Sequence, residues 1–516
     1  MMSSTAPPGR LSAISVIAGL AYFAVLQIAA WKVAGRVFEY PLDDPYIHLA
    51  MAEQMAAGGY GVNPGDYASA ASSAFYPVLL MPFAGEAVQR WLPLFWNMIG
   101  LIAAAWLWGR ILLKSGYGTG RLGLALAVSG PILLNMSGLA FTGMEHALHV
   151  AASLGIVLGL IRFLDTGQVG VALVMGVGLA PLMRFEGLAL ALLASGAVML
   201  KDRIGPGLAL AALSVVPIAV FCLFLVSLGL DPLPNSVSAK LALPADPTTG
   251  WWAHYAERFA ANPEKIPFYI LLAQVVIAVA LFFVRDIRRS SRVALLFVLF
   301  GMGAAHLIAG RYGWMDRYEV YVVASMTAGF FALVSVTNRL LPRAVVGLPM
   351  LAAGALYLSH ALDRTIWAPR AVHMQQAQMA RFAKEHWKAP VAVNDLGQVS
   401  WRNSEFVLDL WGLASREAQR LRLYDAQPGW AGRLTRAEGV KLAMIYDDIF
   451  TTAKGDDWVR VGDLTFAGPT GGVSGRTVGF FATTPTAVGD LGLKLRSWQK
   501  DLPRGAAFQF ATEATQ

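Results

Sequence analysis

Apolar runs of roughly 17–25 residues recur along residues 11–360, and each is long enough to cross a hydrocarbon core about 30 Å thick. A chain with many such runs cannot bury them all in one soluble core. Of its 516 residues, 56% are hydrophobic and 14% are charged, whereas soluble domains carry about 25% charged residues. The predicted fold class is mostly α: a polytopic helical membrane protein with about eleven spans, centred near residues 22, 101, 128, 154, 176, 193, 217, 275, 300, 328 and 352. The first run, 11–30, follows Arg10 and is too long for a typical signal-peptide core, so it reads as an uncleaved anchor. The net charge of +8 needs no nucleic-acid partner, because loop orientation accounts for most of the excess. The single cysteine, Cys222, lies inside an apolar run and can form no internal disulfide.

The links between runs alternate in character. One set is basic: Arg10; Arg110, Lys114 and Arg121; Arg162; Lys201 and Arg203; Arg285, Arg288, Arg289 and Arg292; Arg339 and Arg343. The positive-inside rule assigns these to the cytoplasm. The other set is richer in Trp, Tyr, Pro and acids: 35–87, 137–145, 184–187, 230–265, 311–317, and everything after about 361. The two sets interleave without exception, with the N-terminus inside and the tail outside.

Residues 362–516 change in composition. "PVAVNDLGQVSW", "FVLDLWGL", "KLAMIYDD", "DWVRVGDLTFAG" and "TVGFFATTP" are short β-branched and aromatic runs bounded by Gly, Asp and Pro. Helical stretches such as 371–387 lie among them. The expected organisation is a membrane domain over 1–361, with an outer loop at 35–87, followed by a soluble α/β domain over 362–516 with its own core.

The outer loop opens with "PLDDPYIHLAMAEQMAAGGYGVNPG". Pro45 suits the first turn of a helix, which makes Asp44 the predicted N-cap and Gly58–Gly59 the stop. Ile47, Met51 and Met55, with Ala50 beside them, form an apolar stripe that His48, Glu53 and Gln54 avoid. The stretch reads as an interfacial amphipathic helix lying on the bilayer. Asp43 then has no structural task and is the better candidate for chemistry.

Other ionisable groups fall on the same predicted face. "FTGMEHALHV" supplies Glu145, His146 and His149; "LMRFEGLAL" supplies Arg184 and Glu186. "DPLPNSVSAK" supplies Asn235 and Lys240, and "RYGWMDRYEV" supplies Arg311, Asp316, Arg317, Tyr318 and Glu319. Each has a bland alternative: Arg184 and Glu186 can simply pair, the histidines can be core residues, and Arg311 can be interfacial. Jointly they describe an outward cavity of carboxylates and cations, and ionisable groups at membrane depth tend to be functional. That mixture suits transfer of a sugar from a polyprenyl phosphate. A carboxylate takes the proton of an attacking hydroxyl, worth roughly 10²–10⁴ in rate. Fixed Arg and Lys donors stabilise the departing phosphate. One base and one leaving phosphate imply a single displacement with inversion.

The motifs match a known family in order along the chain. The opening stretch, with its Asp-Asp pair, its Asn-Pro-Gly and the Ser-rich turn "SAASSAFYPVLL", resembles the first outer loop of bacterial GT-C superfamily glycosyltransferases, in particular the arabinofuranosyltransferase-like branch. "TGMEHAL" resembles that branch's Gly-(Leu/Met)-Glu motif. "LMRFEGLAL" is similar to its Arg-Pro-Glu-Gly, with Phe185 in place of Pro. "LPNSVSAK", "VNDLGQVSW" and "VLDLWGL" are similar to further motifs of these enzymes. The resemblance implies a polyprenyl-phosphate-linked sugar donor and a glycan, lipid or protein acceptor on the outer side of a bacterial cytoplasmic membrane. It implies Asp43 as general base with Asp44 orienting it or capping. It implies that Glu145, Arg184 and Glu186 shape the sugar site, and that Asn235, Lys240 and Arg317 hold the phosphate. His146, Arg311 and Tyr318 complete the candidate substrate contacts, and the tail covers the cavity. No His/Cys set has metal-ligand spacing, so no metal or other cofactor is assigned, though the Asp pair stays compatible with a divalent cation. Two other readings stand beside this one: a transporter or flippase of a lipid-linked or anionic solute, and a non-catalytic envelope assembly protein.

Overall fold

The computed structural model describes residues 9–241, 260 and 264–511. Each predicted span centre falls within an apolar helix. Among the described residues, six helical segments are long and apolar enough to cross a membrane: Arg10–Val33, Ala87–Lys114, Arg121–Phe141, His146–Thr166, Ile204–Ser227 and Leu340–Trp387. Five apolar helices are shorter: Val171–Met183, Gly187–Met199, Ile266–Phe282, Val293–Ala309 and Val320–Val334.

The shortness has a local cause. A 13-residue helix rises about 20 Å, less than the hydrocarbon thickness. Val171–Met183 and Gly187–Met199 form a hairpin whose tip, Arg184 to Glu186, ends against its neighbours; Arg184 is buried. The arms approach so closely that a Cβ on Gly187 would lie 2.5 Å from the Ala180 carbonyl.

Polar junctions gather at the two ends of the bundle. At one end Asp165 pairs with Arg292 at 3.1 Å, and Arg292 donates to the Ala332 carbonyl at 2.8 Å. At the other end Arg184 meets Glu145, and Arg317 meets Asp44.

The last bundle helix does not stop at the membrane end. It continues from Leu348–His360 through a π-helical turn, Ala361–Trp367, and further helical turns to Trp387. It then delivers the chain into a six-stranded sheet: β1 Val391–Val393, β2 Val407–Asp409, β3 Leu442–Ile445, β4 Val459–Phe466, β5 Thr477–Ala482 and β6 Ala506–Phe510. The order is β2-β1-β3-β5-β4-β6, parallel across β2-β1-β3 and antiparallel thereafter. Side chains alternate across the sheet. Leu442 and Met444 of β3 join Phe382, Phe480 and Trp498 on one face. Ala443 and Ile445 join Trp430 and Phe450 on the other. Five strands coincide with the β-like runs of the sequence; β6 has no counterpart among them.

The first of these cores is continuous with the outer loop, since Tyr40, Tyr46, Tyr60 and Tyr76 pack into it. Hydrogen bonds reinforce the junction. The Asn63 side chain donates to the Val407 carbonyl at 3.0 Å and accepts from the Val407 N–H at 2.8 Å, completing the edge strand β2. Trp401 Nε1 donates to Gln89 Oε1 at 2.9 Å.

Candidate active site

The outer-loop helix spans Asp44–Ala56, with Asp43 at the N-cap position. Two sequence expectations are corrected here. Asp44 is not the cap; it lies in the first turn, and no side chain caps this helix. Nor does the helix lie on the bilayer as an amphipathic rod: Pro45 through Ala52 are all buried. His48, off the apolar stripe, is enclosed because Ser72, Glu145 and Tyr76 surround it. The short tail helix Gly397–Ser400 packs against this helix as well, so the stretch Pro45–Ala52 presents no solvated polar face to a bilayer surface.

Asp43 also has a structural task that periodicity could not reveal. Its carboxylate accepts from the backbone N–H groups of Gly397 at 2.6 Å and Gln398 at 2.8 Å, at the start of the short tail helix Gly397–Ser400. A Cβ on Gly397 would lie 2.2 Å from the Asp43 carbonyl oxygen, so only glycine allows this approach. Lys384 closes the far end by donating to the carbonyls of Gln398 and Trp401 at 2.9 and 3.0 Å. Burial pushes Asp43 well above the ordinary carboxylate range, and neighbouring Asp395 adds to this. Burial also lowers the Lys384 amine to about 8, helped by nearby Arg402.

Asp44 is placed differently. Its side chain is 32% exposed and pairs with Arg317, whose Nη2 lies 2.5 Å from Oδ2. From here a chain of charges runs inward. The Arg317 guanidinium lies 5.1 Å from the Tyr318 ring centroid, and the Arg184 guanidinium 5.4 Å from the same centroid. Arg184 donates to Glu145 at 2.7 Å and to Glu186 at 2.8 Å. Ser72 Oγ donates to the same Glu145 oxygen at 2.7 Å. Such pairing is what makes buried charges tolerable.

Asp44 and Arg317 face a cavity of about 710 Å³ between the bundle and the tail. Of the predicted site residues, Asp43, Asp44, Arg311, Arg317 and Tyr318 line it. Glu145 and Arg184 stand behind that wall, fully enclosed. Glu186 joins them through Arg184. His146 is buried, its ring 5.8 Å from that of Tyr318. Asn235 is not among the lining residues; its main chain links the outer loop to the tail, donating to Ser69 Oγ and accepting from Gln419. Its neighbour Ser236 lines the cavity instead. Lys240 falls on the helix Asn235–Leu241, and its side chain lies outside the described residues.

Several lining groups carried no role in the sequence reading: His48, Ser72, Lys265, Asp395 and Arg422. Asp395 and Arg422 come from the tail. Asp395 accepts from Gln376 at 2.7 Å and Tyr446 at 3.1 Å, and burial raises its carboxyl above the usual range. Arg422 stacks 4.0 Å from the Trp411 ring centroid. Asp395 lies in the quoted "VNDLGQVSW", the one signal that could have drawn attention to it. Nothing in the local pattern marks Lys265 or Arg422.

The Asp43–Asp44 pair does not fit a divalent cation. One carboxylate is committed to two N–H donors and the other to a guanidinium. Among the described residues no group of three His, Cys, Asp or Glu side chains is arranged to hold a metal ion.

Comparison with known proteins gives limited matches. A family model described as "Domain of unknown function (DUF8728)" matches residues 365–481. No curated protein matches the chain. Among solved structures, the Archaeoglobus fulgidus oligosaccharyltransferase in its apo form is similar at 12% identity and a TM-score of 0.49, covering 98% of this chain and 77% of that one. Archaeal oligosaccharyltransferase AglB from the same organism, in complex with an inhibitory peptide and a dolichol-phosphate, is similar at 12% identity and a TM-score of 0.42, covering 96% and 76%. At these scores the likeness carries no argument about activity, and the functional conclusions for this chain rest on its own residues.

Proposed function

We propose that the chain is an inverting membrane glycosyltransferase of the GT-C type that moves a sugar from a polyprenyl-phosphate donor to an acceptor hydroxyl on the outer side of the membrane. One observation carries the reading: a partly exposed carboxylate, Asp44, paired with Arg317 in a cavity that further cations line, at one end of an apolar helix bundle. The motif resemblance supports arabinofuranose as the sugar and a glycan, lipid or protein acceptor at a bacterial cytoplasmic membrane.

Asp44, rather than Asp43, is the general base in this reading. The acceptor oxygen forms a bond to the anomeric carbon while the bond from that carbon to the phosphate oxygen breaks. The hydroxyl proton passes to Asp44, and the electron pair leaves on the phosphate. Arg317, with Arg311 and Lys265 on the same wall, stabilises the growing phosphate charge. A donor phosphate that engages Arg317 also frees the Asp44 carboxylate for the proton. Arg184, held by Glu145 and Glu186, fixes Tyr318 and through it the wall that Arg317 occupies.

The test is transfer by the purified chain from a synthetic polyprenyl-phosphate pentose, with product detected by mass spectrometry. Asp44→Asn should lower transfer by roughly 10²-fold or more with normal expression and membrane insertion. Asp43→Asn should retain more activity than Asp44→Asn, its loss tracking weaker tail docking. Full activity in Asp44→Asn would remove the proposed base.

A further inference from the structure

The loop that delivers Arg317 to the cavity is backbone-strained. Gly313, Trp314, Met315 and Asp316 have φ values of 71°, 46°, 61° and 50°. Three consecutive side-chain-bearing residues in the left-handed region do not hold that conformation unaided. What holds them is external. Asn135 Nδ2 donates to the Asp316 carbonyl at 3.1 Å, and the Gly313 N–H donates to Glu319 Oε2 at 2.9 Å. The buried Asp316 carboxylate meets His360 Nδ1 at 3.0 Å and Arg364 Nη1 at 2.6 Å. Tyr357 donates to Glu319 Oε1 at 3.2 Å.

Tyr357, His360 and Arg364 share one face of one helix, and Arg364 falls in the π-helical turn Ala361–Trp367. Single π-helical turns recur where a helix is shaped for a functional contact. This same helix carries the chain out of the bundle and into the sheet domain. Trp314 is 49% exposed and lines the cavity, Met315 packs against Leu42, Met144 and Ala368, and Asp316 supplies the charged anchor of the loop.

We infer that His360 and Arg364 are positioning residues: by gripping Asp316 they hold the left-handed loop 313–316 in the form that places Arg317 against Asp44. The placement of the phosphate-side cation is thereby coupled to the helix that bears the tail. This rests on the reading of Arg317 as a phosphate contact.

The test uses the full chain in lipid nanodiscs and two readouts that need no turnover: hydrogen exchange of the amides of 313–317, and binding of farnesyl phosphate. Arg364→Ala should speed exchange across 313–317 by roughly tenfold and weaken farnesyl phosphate binding severalfold. Exchange within Val320–Val334 should not change. Arg364→Lys should recover most of both effects, and it is the unchanged exchange within Val320–Val334 that separates a loosened loop from a general loss of stability. Should Arg364→Ala fail to fold, His360→Gln serves the same purpose. Unchanged exchange at 313–317 in the folded variants would overturn the proposal. So would a loosened loop with farnesyl phosphate binding intact while Arg317→Ala abolishes it. If Arg317→Ala itself binds farnesyl phosphate normally, the phosphate role of Arg317 fails, and the exchange data still decide whether the clamp exists.

Discussion

At the residue scale, two adjacent aspartates differ because their partners differ. Asp43 faces two N–H donors of the tail, and Asp44 faces a guanidinium at a cavity. A third tail carboxylate gives a measurable consequence. Asp409 is buried, accepts from the N–H groups of Trp411 and Ala414 at 2.8 Å each, and so shapes the loop that brings Trp411 to the cavity. Burial raises its carboxyl to about 6. The folded chain therefore keeps this proton in a range where the unfolded chain has lost it. This contribution to stability is fully present below about pH 4 and falls as pH rises through about 6. Thermal unfolding midpoints of Asp409→Asn should vary less with pH between about 4 and 6 than those of the parent chain; equal slopes would remove Asp409 as the source.

At the element scale, the short hairpin Val171–Met183 and Gly187–Met199 shows how packing sets a charged tip at the right depth. A methyl group on Gly187 would collide with the Ala180 backbone at 2.5 Å, whereas one on Gly196 would meet nothing within 4 Å. Gly187→Ala should cost about 1–3 kcal/mol, displace Arg184 from Glu145 and reduce transfer. Gly196→Ala, in the same helix, should be neutral or slightly stabilising. Paired unfolding measurements decide it, and similar midpoints for the two variants would show that the close approach has no energetic weight. The hydrophobic runs marked where these helices fall. They did not mark that the arms are too short to span alone, because length in an apolar run does not report where a helix ends against a neighbour.

At the scale of the whole molecule, the tail and outer loop share one hydrophobic core, and the cavity has walls from both. The predicted sidedness is open to direct measurement. In a Cys222→Ser background, Ile449→Cys in the tail should react with a membrane-impermeant maleimide on intact cells. Leu200→Cys, exposed at the opposite-facing turn, should react only after permeabilisation. The opposite pattern would reverse the proposed orientation, and labelling of both from outside would abolish it.

The sequence by itself determined the apolar helical character, the position of each long apolar helix among the described residues, five of the six described strands, and the grouping of ionisable residues at alternate junctions. These follow from local hydrophobicity and periodicity, which each segment carries within itself. Only the tertiary structure decided that Asp43 grips the tail, that Asp44 faces the cavity, that the outer-loop helix is enclosed, and that Asp395 and Arg422 complete the cavity wall. Those outcomes depend on contacts between residues hundreds of positions apart, and the direction a side chain faces is fixed by what packs against it.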